Sequence, residues 1–157
     1  MLEIERASWR APRYAVRDDD GRSGVWIRRR FGEAMTGEIN GEPYELRRDG
    51  RRRFTLLGRG TELATAEAAR RGRWTVVVQG STYELRRQSA WRSGMDLHSG
   101  AITIGSIRKG PAGRGRVFCE LPAELPPPVQ AFIGFVVLLL WNRAASSSGA
   151  ATVVASG

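Results

Sequence analysis

The stretch VQAFIGFVVLLLWNR, from Val129 to Arg143, decides how the rest of the chain is interpreted. Between Val129 and Trp141 its one polar side chain is Gln130. Prolines precede it in LPPPVQ, where a fixed φ angle and a missing N–H suit the first turn of a helix. Wound into a helix, this stretch has apolar side chains on every side. Such a helix must be surrounded completely, either by lipid or by protein.

Its length favours protein as the surrounding medium. A bilayer core requires about 20 apolar residues in a helix, whereas the uninterrupted apolar run here covers only Ala131 to Trp141 before Asn142 and Arg143 end it. We therefore predict that strands of the same chain enclose the helix. A tail anchor that inserts residues 129–141 into a membrane is the alternative.

Short strands are predicted from about residue 9 to residue 121. PYELRR alternates the apolar Tyr44 and Leu46 with charged residues, which is the period-two pattern of a half-buried strand. RWTVVVQ, AITIGSIRK and RVFCEL have the same character, and about eleven candidate strands are found. TELATAEAARR, residues 61–71, is assigned as a strand in its first half, although its alanines equally suit a helix.

Turn dipeptides and an internal repeat indicate how these strands are connected. Asn40-Gly41 and Asp49-Gly50 are typical of hairpins, because Asn, Asp and Gly tolerate the left-handed backbone of a tight turn. GEPYELRR at 41–48 recurs as GSTYELRR at 80–87. The two copies are 39 residues apart. Repeats about forty residues long occur in propellers, but two copies are too few for a ring. We therefore predict a single meander of hairpins.

These strands and the helix together predict a mainly β fold. A single sheet covers one face of a helix and an eight-stranded barrel is filled by its own side chains, whereas a can of eleven or twelve strands has room for a central helix. We predict an antiparallel barrel of about 12 strands around helix 127–143, within a domain 1–145 and followed by a flexible tail, 146–157. Burial of the helix side chains contributes at most about 15–25 kcal/mol.

A β-rich body followed by an apolar C-terminal helix resembles the tubby C-terminal-like superfamily, which includes tubby domains, phospholipid scramblases and LURP-one-related proteins. The paired YELRR strands, AITIGSIRK and LPAELPPPVQAFIGFVVLLLWNR carry the likeness, which spans residues 9–143 and is greatest to small bacterial members of unassigned function. The resemblance implies a barrel of about twelve strands threaded by the last helix. Tubby domains bind phosphoinositides through basic residues, but those positions do not align here, and the scramblase calcium segment has no counterpart.

The net charge of +9 favours anionic partners such as phospholipid headgroups or nucleic acid. Of 25 basic residues only Lys109 is a lysine, and an arginine bias with abundant Ala and Gly is also typical of GC-rich coding sequences. The charge is therefore either a binding surface or ordinary solvated surface. MLEIERASWR contains acidic residues and no apolar core, unlike a secretory signal, so we expect a cytoplasmic protein, at most peripheral at the inner membrane face.

No catalytic or metal-binding constellation is visible. His98 is the only histidine and is predicted to lie in an exposed turn, whereas Cys119 alternates with apolar residues and is predicted to face the core. One His and one Cys do not make a zinc site, and the glycines at 58–60 and 110–115 match no nucleotide-binding loop. We expect a non-enzymatic protein with no cofactor and no metal.

Two arginine runs are the remaining candidates for a functional site. IRRRF at 27–31 and RRDGRRR at 47–53 are predicted at strand ends and a hairpin turn, where guanidinium groups can bind phosphates through paired hydrogen bonds. The alternative is a solubilising turn whose arginines pair with Glu42, Glu45 or Asp49. The candidate anion-binding residues are Arg28, Arg29, Arg30, Arg47, Arg48, Arg51, Arg52 and Arg53.

These features favour a module that binds anionic phospholipid or a protein partner through a basic rim. A nucleic-acid-binding protein is the second interpretation, because Trp26 and Phe31 flank the first arginine run as base-stacking residues do. No recognisable nucleic-acid-binding module accompanies them. The tail-anchored membrane protein is the third interpretation.

Removal of residues 127–157 tests whether the helix is the core of the fold. We expect the truncated chain to be insoluble or molten, because the inward faces of the strands lose the side chains that cover them. Gel filtration and near-UV circular dichroism measure this outcome. A soluble truncated chain with a cooperative unfolding transition would contradict the enclosed-helix prediction.

Overall fold

The computed structural model describes residues 1–8, 12–21, 23–29, 32–70, 72–89, 92–110 and 115–156. They form twelve β-strands and one α-helix. The elements are β1 (Leu2–Ser8), β2 (Arg13–Arg17), β3 (Ser23–Arg28), β4 (Met35–Ile39), β5 (Glu42–Arg48), β6 (Arg53–Gly58), β7 (Thr61–Ala68), β8 (Trp74–Val78), β9 (Ser81–Ser89), β10 (Arg92–Ser99), β11 (Ile102–Lys109), β12 (Arg116–Glu120) and α1 (Pro127–Ser156).

The strands form one closed antiparallel barrel in which each strand pairs with its neighbours in sequence. β1 closes the barrel against β12, with Leu2 opposite Cys119. This arrangement confirms the predicted mainly β fold of about twelve strands with one C-terminal helix. The ambiguous segment 61–71 contains β7, which pairs with β6 and β8 along its length, so the strand assignment is correct and extends to Ala68.

Tight turns join the strands at two rims. Asn40 and Gly41 have φ angles of 54° and 80°, as a two-residue hairpin turn requires. Their turn lies at the rim where the even-numbered strands end, here called the opposite rim. The other end of the barrel, where the odd-numbered strands end, is called the arginine rim because Arg28, Arg48 and Arg51 lie there.

Helix α1 enters the barrel at the opposite rim and runs through it to the arginine rim. The side chain of Gln130 donates a hydrogen bond to the Leu125 carbonyl oxygen at 2.7 Å, so the one polar residue of the apolar run closes the entry loop. The strands cover the apolar helix on all sides, as predicted. The buried side chains are Val129, Ala131, Phe132, Ile133, Phe135, Val136, Val137 and Leu139.

An aromatic cluster fixes α1 against one side of the barrel. The ring of Phe135 meets Tyr14 edge-on, with centroids 5.6 Å apart, and its centroid lies 5.1 Å from that of Trp26. A Cβ atom at Gly37 would lie 2.4 Å from the Trp26 indole. Glycine is therefore required opposite Trp26, because any side chain there would displace the indole from the cluster.

The helix continues to Ser156, so the predicted helix end at residue 143 is wrong. Ala144 and Ala145 follow Arg143 directly, and alanine has the highest helix propensity of all residues. The backbone therefore continues as helix past the rim, where Ala144 to Ser147 are exposed. The flexibility expected for residues 146–157 stays a prediction.

Part of α1, Pro127–Ser147, is long and apolar enough to cross a membrane by length and composition. Half of an 18-residue stretch within this segment is buried, and the buried residues include most of those that a tail anchor would insert. The core helix of a soluble protein has the same profile. The helix is therefore weak support for the tail-anchor interpretation.

Substitution of Gly134 tests how closely α1 packs against the wall. A Cβ atom there would lie 2.7 Å from both the Cys119 sulfur and a terminal carbon of Ile4. We expect Gly134→Val to lower the free energy of unfolding by about 1–3 kcal/mol through overpacking, as measured by urea denaturation. Ala145→Val, at an exposed position of the same helix, is the control and is expected to cost about 0.5 kcal/mol or less. An equal loss of unfolding free energy in the two variants would contradict the close packing of Gly134 against the barrel wall.

Candidate functional site

The two rims carry opposite charge. Acidic residues collect at the opposite rim, among them Asp18, Asp19, Asp20, Glu42, Glu62 and Glu124, where Arg17 and Arg59 are the basic residues within the described ranges. Basic residues collect at the strand ends and turns of the arginine rim. They include Arg6, Arg13, Arg28, Arg29, Arg47, Arg48, Arg51, Arg52, Arg53, Arg70, Arg73, Lys109 and Arg116, alongside the acidic Glu5, Glu33, Asp49 and Glu67.

Strand alternation decides which of these side chains face the mouth of the barrel. Successive side chains of a strand point to opposite faces, so a residue two positions beyond a buried one continues the inward-facing row. Three arginines and one glutamate occupy such positions at the arginine rim. They are Arg6 after the buried Ile4, Arg28 after Trp26, Arg48 after Leu46, and Glu33 before Met35.

Glu33 and Arg143 form the central ion pair of this mouth. Glu33 is only 8% exposed, and its two carboxylate oxygens accept hydrogen bonds from Nε (2.8 Å) and Nη2 (2.7 Å) of Arg143. The third nitrogen of Arg143 donates to the Arg51 carbonyl oxygen at 2.7 Å, and Arg48 Nη1 lies 3.3 Å from the Glu33 carboxylate. The pair therefore ties α1 to the β3–β4 and β5–β6 turns.

A cleft of about 680 Å³ opens between α1 and this side of the mouth. Tyr14 and Leu138 contribute to its lining, and Asn142, Ser146 and Ser147 add hydrogen-bonding groups from the helix. Its charged lining consists of Arg6, Arg28, Arg48, Arg51, Arg143 and Glu33. The cleft is thus a concave surface dominated by guanidinium groups.

Arginines of the opposite alternation lie on the outer wall and pair with acids there. Arg47 Nε donates to Asp49 at 3.0 Å, and Arg29 lies 3.9 Å from Glu45. A hydrogen bond from Thr55, 2.7 Å long, and the charge of Arg47 lower the pKa of Asp49. Arg29 and Arg47 therefore already have carboxylate partners, as the solubilising-turn alternative expects.

The structure therefore divides the eight candidate arginines into groups. The cleft is lined by Arg28, Arg48 and Arg51. Acidic partners lie within ion-pair distance of Arg29, Arg47 and Arg53. Arg52 donates to the Ala68 carbonyl oxygen at 3.4 Å, and Arg30 lies outside the described residues. Arg6, Arg143 and Glu33 join the first group although the sequence reasoning missed them. Continuing the inward-facing row of each strand by one step would have found Arg6 and Glu33, because both follow that alternation.

The nucleic-acid interpretation loses one of its two aromatic residues. Trp26 is fully buried against Phe135 and Gly37, and a buried indole cannot stack on a base. Phe31, the other aromatic residue, lies outside the described residues. Among the described residues that line the cleft with Arg28, Arg48 and Arg51, the aromatic one is Tyr14, which is buried.

The residues with chemical reactivity are placed away from this cleft. Cys119 faces the core as predicted, and burial raises the pKa of its thiol to about 12, so it stays protonated and unreactive. His98 lies in β10, opposite Thr103, and not in the predicted turn, because the strand extends to Ser99. Among the described residues, no three His, Cys, Asp or Glu side chains form a group that could hold a metal ion.

Comparison with known proteins adds no further information about this site. The chain matches no family model, no curated protein and no solved structure. The resemblance to the tubby-like superfamily therefore stays a prediction that rests on the strand and helix sequences.

A double-mutant cycle on Glu33 and Arg143 tests whether their ion pair holds the helix end in the mouth. Glu33→Gln and Arg143→Met each remove one charge, and we expect each to lower the free energy of unfolding by about 1–3 kcal/mol. The first leaves Arg143 without its carboxylate partner, and the second leaves the buried Glu33 with Arg48 alone. The double variant is expected to lose less than the sum of the two, with a coupling of about 0.5–3 kcal/mol in urea denaturation. Additive losses would show that the pair does not stabilise the mouth.

Proposed function

We propose that this barrel is a non-enzymatic binding module that docks its arginine rim onto anionic phospholipid, as a peripheral protein on the cytoplasmic face of a membrane. The observation that supports this proposal is the segregation of charge between the two rims. An anionic surface attracts the basic end and repels the acidic end, so the field of the membrane orients the barrel as well as binding it.

Several arginines of this rim are available for an external anion. Arg51 and Arg52 are exposed in the β5–β6 turn, and neither is within ion-pair distance of a described carboxylate; the same holds for Arg28. Basic side chains close to an anionic leaflet contribute about 1 kcal/mol each. Three such residues contribute about 3 kcal/mol, and the paired arginines around them add to the same field.

The surroundings of the rim are compatible with a membrane surface. Ile27 is 44% exposed on the outer wall, directly beside Arg28. Beyond Arg143, the sequence AASSSGAATVVASG contains no charged side chain, so the part of α1 that leaves the barrel adds no acidic side chain to the basic end. Exposed apolar and uncharged groups beside a basic patch are a combination that favours the membrane interface.

Flotation with vesicles tests the proposal. The full chain is expected to float with vesicles of phosphatidylcholine and phosphatidylglycerol and to remain in solution with phosphatidylcholine alone. Arg51→Gln/Arg52→Gln is expected to weaken binding about 30-fold, because two surface arginines contribute about 2 kcal/mol.

Arg17→Gln/Arg59→Gln is the matched control, since it removes the same charge from the opposite rim. It is expected to leave binding within about threefold of the unmodified chain, a difference of well under 1 kcal/mol. Equal loss in both double variants would show that net charge, and not the arginine rim, determines binding. Indifference of the unmodified chain to lipid charge would contradict the proposal and leave an acidic protein partner as the ligand of the rim.

A further inference from the structure

Three of the basic side chains in the cleft between α1 and the mouth are held in place by hydrogen bonds to the protein. Arg28 Nε donates to the Gly32 carbonyl oxygen and Arg48 Nε to the Gly50 carbonyl oxygen, both at 2.9 Å. Arg143 is fixed by its two hydrogen bonds to Glu33. Side chains that are ordered before a ligand arrives lose less conformational freedom when they bind it.

The charge within the cleft is far from balanced. Among the described residues of the lining, and leaving Arg6 out of the count, the guanidinium groups of Arg28, Arg48, Arg51 and Arg143 surround one carboxylate, that of Glu33. The difference is three positive charges. On the outer wall, by contrast, Arg29 and Arg47 each have an acid within 4.0 Å. A concave part of the rim therefore carries a net positive charge of its own.

The size and chemistry of the cleft define the ligand that fits it. Its volume of about 680 Å³ is within the range of roughly 300–1,000 Å³ typical of small-molecule sites. Guanidinium forks bind phosphate oxygens through pairs of charge-assisted hydrogen bonds, and balancing three positive charges takes more than one phosphate group, since one phosphate carries at most about two negative charges at neutral pH. A mononucleotide base has no exposed aromatic partner here, since Tyr14 is buried.

We infer that the cleft is a discrete site for one compact polyanion that carries at least two phosphate groups. Its source is either the headgroup of a doubly phosphorylated lipid or a soluble polyphosphate. The lipid source deepens the proposed membrane function and rests on it, whereas the soluble source does not.

Isothermal titration of the full chain with inorganic pyrophosphate and tripolyphosphate tests the site itself. Saturable binding with one anion per chain is expected, and Arg28→Gln/Arg51→Gln is expected to weaken it at least tenfold. Arg70→Gln/Arg73→Gln is the matched control, because it removes two exposed rim arginines that lie outside the cleft lining, and it is expected to change the affinity less than threefold. Thermal unfolding of both variants establishes that they are folded.

The outcome that would overturn the inference is either the absence of saturable binding or an equal loss of affinity in the two double variants.

Vesicle binding distinguishes the lipid source from the soluble source. Cardiolipin, which has two phosphates in one headgroup, is compared with phosphatidylglycerol at equal phosphate content. Preference for cardiolipin that tripolyphosphate abolishes supports the lipid source. Soluble anion binding without vesicle binding supports a soluble ligand and contradicts the proposed function alone. Vesicle binding that follows charge only, with no soluble anion bound, contradicts the cleft and leaves the proposed function standing.

Discussion

The constraint on which this structure depends is the absence of a polar face on the first half of α1. A helix that is apolar all round cannot rest on a single sheet, because at least half of its surface would remain in water. Closure of twelve strands into a barrel removes that exposure and also removes the free edges of the sheet. The helix in turn fills a barrel that is too wide for its own side chains to fill. We therefore expect neither part to be stable without the other.

The same constraint explains where the polar chemistry of the molecule is placed. Inside the barrel, every second residue of a strand is apolar because its side chain contacts α1. The next inward-facing position beyond the last apolar one is charged, and it is occupied by Arg6, Arg28, Arg48 and Glu33 around the emerging helix. Arg143 then sits at the point where α1 leaves the enclosed region. The cleft is therefore a product of the barrel geometry, since it occurs where the inward-facing rows change from apolar to charged.

The fold was predictable from the sequence to a greater extent than the site. The all-round apolar run and the period-two strands are strong local signals, and together they predict the barrel, its approximate strand number and its central helix. Which arginines meet depends on strand ends and turn lengths, which sequence patterns define poorly. Neighbouring residues such as Arg47 and Arg48 therefore looked equivalent, although one pairs with Asp49 outside and the other reaches Glu33 inside. The role of Arg143 could not be predicted from sequence, because its partners are more than ninety positions away along the chain.

The position of α1 at the end of the barrel sequence has a consequence for how the protein is made. The ribosome releases all twelve strands before the segment that fills them, and β1 must wait for β12 before the wall can close, as the pairing of Leu2 with Cys119 shows. Nascent strands thus hold their apolar faces uncovered until β12 and α1 have been made. Assembly that depends on such distant contacts is slow and prone to aggregation. We therefore expect the closing of the wall around α1, and not the formation of any one hairpin, to limit the rate of folding.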